Sequence, residues 1–259
     1  MKKLVNVVIP LYKNTLKDSE LLSLRRCFQI LGRYDITAIA PDNLDLTPVS
    51  NLFPQLKIER FEPHLFEGRK GYNKLMMTTD IYKRFRNWEY ILIHQTDVYV
   101  FDDSLENWCR KNFDYIGAPW LEKSYHSSYI HKLFSTLDTF FNREKEGYDQ
   151  RFIHRGKVGN GGLSLRKVDS FISFLENNQE KADHYIERCD FHRFFEDVFW
   201  AIEPQHSFKY PSTQEALRFS FDTYPWLCYK ENNKNLPFGC HAFTKWKTIL
   251  FWKQHIADL

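Results

Sequence analysis

The chain has 259 residues, 43% of them hydrophobic, enough for a sizeable core and for one large α/β domain or two small ones. A formal net charge of +3 is too weak for a nucleic-acid-binding face and is compatible with an anionic small ligand or an anionic membrane surface. The five cysteines, Cys27, Cys109, Cys189, Cys228 and Cys240, form no CxxC pair, which argues against a cysteine zinc site or a disulfide framework and fits a reducing cytoplasm.

Two lysines precede an apolar run at the N-terminus, but Pro10, Tyr12 and Lys13 end it without a small-residue cleavage site. Val5 to Pro10 is instead predicted as a parallel strand buried on both faces. Leu21, Leu22, Leu24, Cys27, Phe28 and Leu31 have helical spacing over 18–32, closed by Gly32. Asp35 to Ala40 reads as a second strand and Lys57 to Phe61 as a third; Asn73 to Phe85 reads as one helix and Tyr90 to His94 as the next strand. Residues 121–157, rich in Tyr, His and charge, read as an insertion or loop over the site. Val168 to Leu175 and Phe194 to Ile202 are predicted helices, and the last third turns through Pro204, Pro211, Pro225 and Pro237. No run of about 18 apolar residues occurs, so no transmembrane helix is expected. Strands alternating with helices predict a parallel sheet, with ligands at the carboxyl ends of its strands.

Four motifs carry candidate chemistry. The strand Tyr90 to His94 delivers Asp97 to its end through Gln95-Thr96. A carboxylate there can hold Mg²⁺ or Mn²⁺ against a diphosphate, or simply cap the next turn. In Gly159-Asn160-Gly161-Gly162 the paired glycines let backbone approach a sugar ring closely, or make a plain hairpin turn. Glu196-Asp197 opens a helix, where an acidic pair favours the helix dipole or supplies a general base. His241, preceded by Gly239-Cys240, reads as a metal ligand or a structural imidazole. Trp120 suits stacking on a sugar face or filling the core at a turn. Lys245 to Lys253 mixes aromatics with cations, as an interfacial helix on an anionic bilayer does, or as a helix docked on the sheet with snorkelling lysines; docking is the favoured reading.

The order of strand-end Asp, Gly-Gly, acidic pair and His resembles nucleotide-sugar transferases of the GT-A fold, whose Asp-x-Asp signature stands in the same strand-end context. More closely, the chain is similar to an uncharacterised bacterial family of glycosyltransferase-like proteins. Five blocks support this in order: Gly71 to Met76, Tyr90 to Asp97, Tyr115 to Trp120, Gly159 to Arg166, and Glu196 to Trp200. The resemblance runs from about residue 5 to 245. It implies an α/β, Rossmann-like, mostly parallel central sheet flanked by helices, in a single domain. Residues 1–120 would form the nucleotide-binding half, 121–157 an insertion or loop, and 158–259 the acceptor and catalytic half.

The same resemblance implies transfer of a sugar from a nucleotide-diphosphate donor to a glycan or lipid-linked acceptor, with inversion, in bacterial surface polysaccharide synthesis. The protein would be cytoplasmic; peripheral inner-membrane contact through 245–256 is the alternative that the composition of that segment leaves open beside docking on the sheet. Pro10, Leu11 and Tyr12 would line the nucleoside pocket, Asp42 would meet base or ribose, and Lys74 would face the diphosphate. Gln95 replaces the first acid of the signature. Asp97 and His241 would hold Mn²⁺ or Mg²⁺, Gly161 and Gly162 would floor the sugar, and Asp197, with Glu196 as the alternative, would be the base. Because Gln95 removes one carboxylate, a non-catalytic nucleotide- or glycan-binding module is the competing reading. A nucleotidyltransferase is disfavoured, since Leu11-Tyr12-Lys13-Asn14 contains no glycine.

Overall fold

The computed structural model describes residues 2–121 and 156–259. Strands β1 (Lys3–Pro10), β2 (Asp35–Pro41), β3 (Lys57–Phe61) and β4 (Trp88–His94) pair in parallel in the order β3-β2-β1-β4. Two further strands extend the sheet: β7 (Leu163–Lys167), antiparallel to β4, and β6 (Tyr115–Ile116), antiparallel to β7. Continuous apolar runs follow from burial on both faces. Val5, Val7 and Ile9 of β1 face one core layer, and Val8 faces the other.

Helix α1 (Asp18–Leu31) covers the first layer through Leu24, Cys27 and Leu31, the buried stripe of a 3.6-residue period. Its first turn is closed by the Lys17 N–H donating to Glu20 Oε2 at 2.8 Å. Truncating Leu24, which is fully buried, would cost about 2–5 kcal/mol. The second layer is built by α3 (Gly68–Met76), α4 (Thr79–Arg84), α6 (Val168–Asn177) and α8 (Glu196–Ile202). The remaining helices are α2 (Thr47–Leu52), α5 (Leu105–Arg110), α7 (Gln179–Glu187), α9 (Thr213–Phe219), α10 (Pro225–Glu231) and α11 (Ile249–Trp252).

The helix expected over Asn73 to Phe85 is two helices. Thr78 Oγ1 donates to the Leu75 carbonyl at 2.9 Å and Thr78 itself is extended, so the hydroxyl competes with the helical ladder and breaks it. Apart from its ends, the insertion expected over 121–157 lies outside the described residues.

A second sheet was not legible in the sequence. It contains β5 (Val98–Val100), β9 (Gly239–His241) and β8 (Ser220–Phe221), in the order β5-β9-β8. Val98 pairs with His241 and Phe221 with Cys240. Asp97, just before β5, and Asp222, just after β8, therefore flank His241 from opposite sides. No helix among the described residues is long and apolar enough to cross a membrane.

Candidate functional site

Two cavities open at the carboxyl end of the parallel strands. The first, about 800 Å³, is bordered by Pro10, Tyr12, Lys17, Gln95, Asp97 and Thr244. The second, about 680 Å³, is bordered by Gly161, Gly162, Glu196, Asp197, Asp222 and His241. Arg69, Tyr72 and Gln95 border both, so the cavities adjoin along one rim.

Between them lies a row of three side chains. His241 Nε2 is 3.2 Å from Asp97 Oδ1, and His241 Nδ1 is 3.0 Å from Asp222 Oδ1. Burial alone would lower the imidazole pKa. The Asp97 charge and the hydrogen bonds to Asp222 and Asp97 outweigh it and raise the value to about 10, so the ring is an imidazolium donating to both carboxylates. Burial would likewise raise the pKa of Asp97, but the charge and hydrogen bond of His241 and the charge of Lys245 hold it below the usual carboxylate range.

The donor set fits a divalent cation in part. Two donors adjacent on a six-coordinate Mg²⁺ lie roughly 3 Å apart, which is the spacing of Asp97 Oδ1 and His241 Nε2. Asp222, on the far ring nitrogen, would fix the ring's orientation rather than bind the ion. Accordingly, no group of three His, Cys, Asp or Glu among the described residues is disposed around one ion.

The paired glycines border the second cavity, but protein side chains already crowd them. A Cβ on Gly161 would stand 2.0 Å from Glu196 Oε1, and one on Gly162 would stand 2.2 Å from His241 Cδ2. Their smallness admits Glu196 and the imidazole, which the reading as a sugar floor did not anticipate. Gly159 similarly leaves room for the Trp120 ring, which borders the second cavity.

The acidic pair divides. Glu196 is 3% exposed and both its oxygens lie within 3.1 Å of Arg166 Nη2. Arg166 is fully buried and also donates to Tyr82 and Ser164, while the Glu196 N–H donates to Asn73 Oδ1 at 2.6 Å. Burial raises the Glu196 pKa and Arg166 partly offsets it. This carboxylate is committed to Arg166, which leaves Asp197 as the better candidate base. Asp197 accepts only the N–H of Val198, at 2.9 Å, among the hydrogen bonds found for its side chain; burial raises its pKa, with His192 opposing.

Three of the nucleotide-side candidates have side chains outside the two cavities. Leu11 is 1% exposed within the core, so its side chain cannot line a pocket. Asp42 is exposed and borders neither cavity; its N–H continues the sheet pattern to the Phe61 carbonyl. Lys74 is exposed on the wrong face of α3: helical spacing turns Arg69, Tyr72 and Asn73 toward the cavities. Arg69, held 5.1 Å from the Phe195 ring centroid, is the cation on this helix that reaches both cavities. Asp222, Arg69, Tyr72 and Lys245 are site residues that sequence reasoning missed. Arg69 had a signal in its three- and four-residue spacing from Tyr72 and Asn73; Asp222 had none.

The family profile described as a protein of unknown function, DUF5672, matches residues 55–241. The chain belongs to that family. No curated protein matches its sequence. Among solved structures, this DUF5672 member is similar to the galactosyltransferase LgtC in complex with donor and acceptor sugar analogues. The TM-score is 0.55 at 12% identity, covering 96% of this chain and 94% of that one. A structure of LgtC with a substituted active site gives TM-score 0.55 at 13% identity, covering 96% and 94%. Mouse xyloside xylosyltransferase 1 in its apo form gives TM-score 0.53 at 8% identity, covering 93% of this chain and 98% of that one. Such identities speak for the fold. It is the GT-A fold, an α/β arrangement with a mostly parallel central sheet between helices.

Proposed function

We propose that the chain transfers a sugar from a nucleotide-diphosphate donor to a hydroxyl of a glycan or glycolipid, of the kind assembled on bacterial surfaces. The observation that supports this most is the adjacency of the two cavities: Arg69 borders both, the Asp97–His241–Asp222 row runs from Asp97 in the first to Asp222 in the second, and Asp197 borders the second. The likeness in fold to LgtC, solved with donor and acceptor sugar analogues, points the same way.

In this reading the first cavity takes the nucleoside, between Pro10 and the exposed ring of Tyr12. Asp97 and His241 would hold Mn²⁺ or Mg²⁺, which when bound supplies charge stabilisation to the departing diphosphate. Arg69 and Lys245 add fixed positive charge on the side of the second cavity. Asp197 accepts the proton of the acceptor hydroxyl. The oxygen–anomeric carbon bond forms as the carbon–oxygen bond to phosphate breaks, and the electron pair leaves with the diphosphate. Attack from the face opposite the leaving group inverts the anomeric centre.

A thermal-shift screen of nucleotide sugars with and without Mn²⁺, followed by donor hydrolysis assays, tests this. A donor that stabilises the chain only with the cation, and leaks slowly to nucleoside diphosphate and free sugar, is the expected result. Cation-dependent binding without any leak would favour the competing binding module. Gln95 in place of a carboxylate, with only two donors spaced for one ion among the described residues, is the observation on that module's side.

A further inference from the structure

Residues 243–256 contain no acidic side chain and carry four aromatics, Phe243, Trp246, Phe251 and Trp252, with three lysines. The fold divides this segment by face. Phe243, Trp252 and Ile256 are buried in a cluster with Tyr99, Leu217, Phe221 and Cys240, which docks the segment on the small sheet. The opposite face is apolar at its centre and basic around it. Trp246 is 80% exposed and Leu250 is 76% exposed, the two highest values among the exposed large hydrophobics of the described residues. They stand four residues apart, Leu250 in α11 and Trp246 in the turn that leads into it, which the Ile249 N–H ties to the helix by donating to the Lys245 carbonyl. Lys245, Lys247 and Lys253 are exposed around them, and Lys247 Nζ lies 5.1 Å from the Trp246 ring centroid.

Core filling explains Trp252 but not Trp246. Leaving an indole and an isobutyl group exposed within four residues of each other is unfavourable unless something covers them. Indole beside lysine, with an aliphatic side chain one turn on, is the composition that settles at the headgroup level of a bilayer: the ring spans the polar–apolar boundary and the ammonium groups meet anionic headgroups. The patch also sits beside the site. Thr244, two residues before Trp246, borders the first cavity, and Lys245 borders the second.

We infer that the face formed by Trp246, Lys247, Leu250 and Lys253 docks this protein on the surface of an anionic lipid bilayer, with both cavities opening beside the headgroups. Charge complementarity selects this occupant over a second copy of the chain, because two such faces would bring like charges together. The inference does not depend on the transferase reading, since docking is measured without turnover.

The test is co-sedimentation of the full chain with phosphatidylcholine vesicles, neutral or carrying about one-third phosphatidylglycerol. Binding is expected only to the anionic vesicles and should weaken with added salt. The double variant Trp246→Ala/Leu250→Ala should lower partitioning by about tenfold or more. The double variant Lys247→Glu/Lys253→Glu should abolish it. All four positions are exposed, so an unchanged Tm in both variants separates lost docking from lost folding. The inference is overturned if the chain stays in the supernatant, binds neutral vesicles equally well, or binds undiminished without Trp246 and Leu250. A concentration-dependent dimer dispersed by the Trp246/Leu250 variant would also overturn it, assigning the face to a second copy.

Discussion

Asp222 accepts a 3.0 Å hydrogen bond from His241 Nδ1, on the side of the ring away from Asp97. It therefore fixes which nitrogen faces the cavities and how basic that nitrogen is. Asp222→Asn should keep the fold but weaken Mn²⁺ or Mg²⁺ binding by about 10- to 100-fold. Calorimetric titration of the variant against the unchanged chain is the measurement; equal affinities would detach Asp222 from any cation site. Because His241 holds its proton up to about pH 10 without a cation, binding at neutral pH should also release a proton, seen as a dependence of the heat on buffer ionisation enthalpy.

Asp197 is half-buried beside the second cavity, and desolvation there moves its pKa upward. A base with a raised pKa loses activity as pH falls through that value, so the acid limb of the rate profile should lie above the ordinary carboxylate range. Asp197→Asn should lower kcat by about 10²–10⁴ and remove that limb, with donor binding little changed. A variant that keeps the limb, or that mainly loses donor affinity, would assign the base to another group. Retention of anomeric configuration in the product, read by proton NMR, would exclude the single-displacement step.

Gly162 has no room for a methyl group, and the ring that fills the space is held at both nitrogens, so it can retreat only by giving up those contacts. Gly162→Ala should therefore displace His241, costing about 1–3 kcal/mol in stability and most of the cation affinity. Chemical denaturation and cation titration of the same variant check both effects. A variant with native cation affinity would show that the imidazole position is not critical.

His94, at the end of β4, is fully buried, and burial lowers its pKa to about 4. The unfolded chain binds this proton more tightly, so the folded state should lose stability as pH falls from about 6.5 toward 4. The loss from this one group is on the order of 3 kcal/mol, complete below the depressed value. Replacing His94 with Leu should flatten the dependence of unfolding free energy on pH over that window. An unchanged slope would move the acid sensitivity elsewhere.

The strands buried on both faces were readable because they announce themselves as apolar runs: Val5 to Pro10, Asp35 to Ala40 and Tyr90 to His94 stand where expected. Lys57 to Phe61 also stands where expected, although it is a partly buried edge strand without an apolar run; the antiparallel strands β6 and β7 were not predicted. The elements of the small sheet have two or three residues each, too short for any period, so the pairing of Val98 with His241 and Phe221 with Cys240 was invisible. That is why Asp97 and His241 were picked out and their neighbour Asp222 was not. Lys74 differs for another reason: residue type within the motif block pointed to it, whereas helical phase turns Arg69 toward the cavities. Glu196 and Asp197 look alike in sequence; only the buried guanidinium of Arg166, brought in from β7, tells them apart.

The antiparallel join between β4 and β7, with His94 opposite Leu163, places the exit of one strand and the entrance of the other at a common edge. A slip of one residue in that join would bring Leu163 to the spot vacated for the imidazole and turn the inward leucines of β7 to the opposite side. Such a molecule would lose its chemistry and gain a sticky surface in the same event. Correct alignment of β4 with β7 is thus a single condition for both the shape of the second cavity and a covered core.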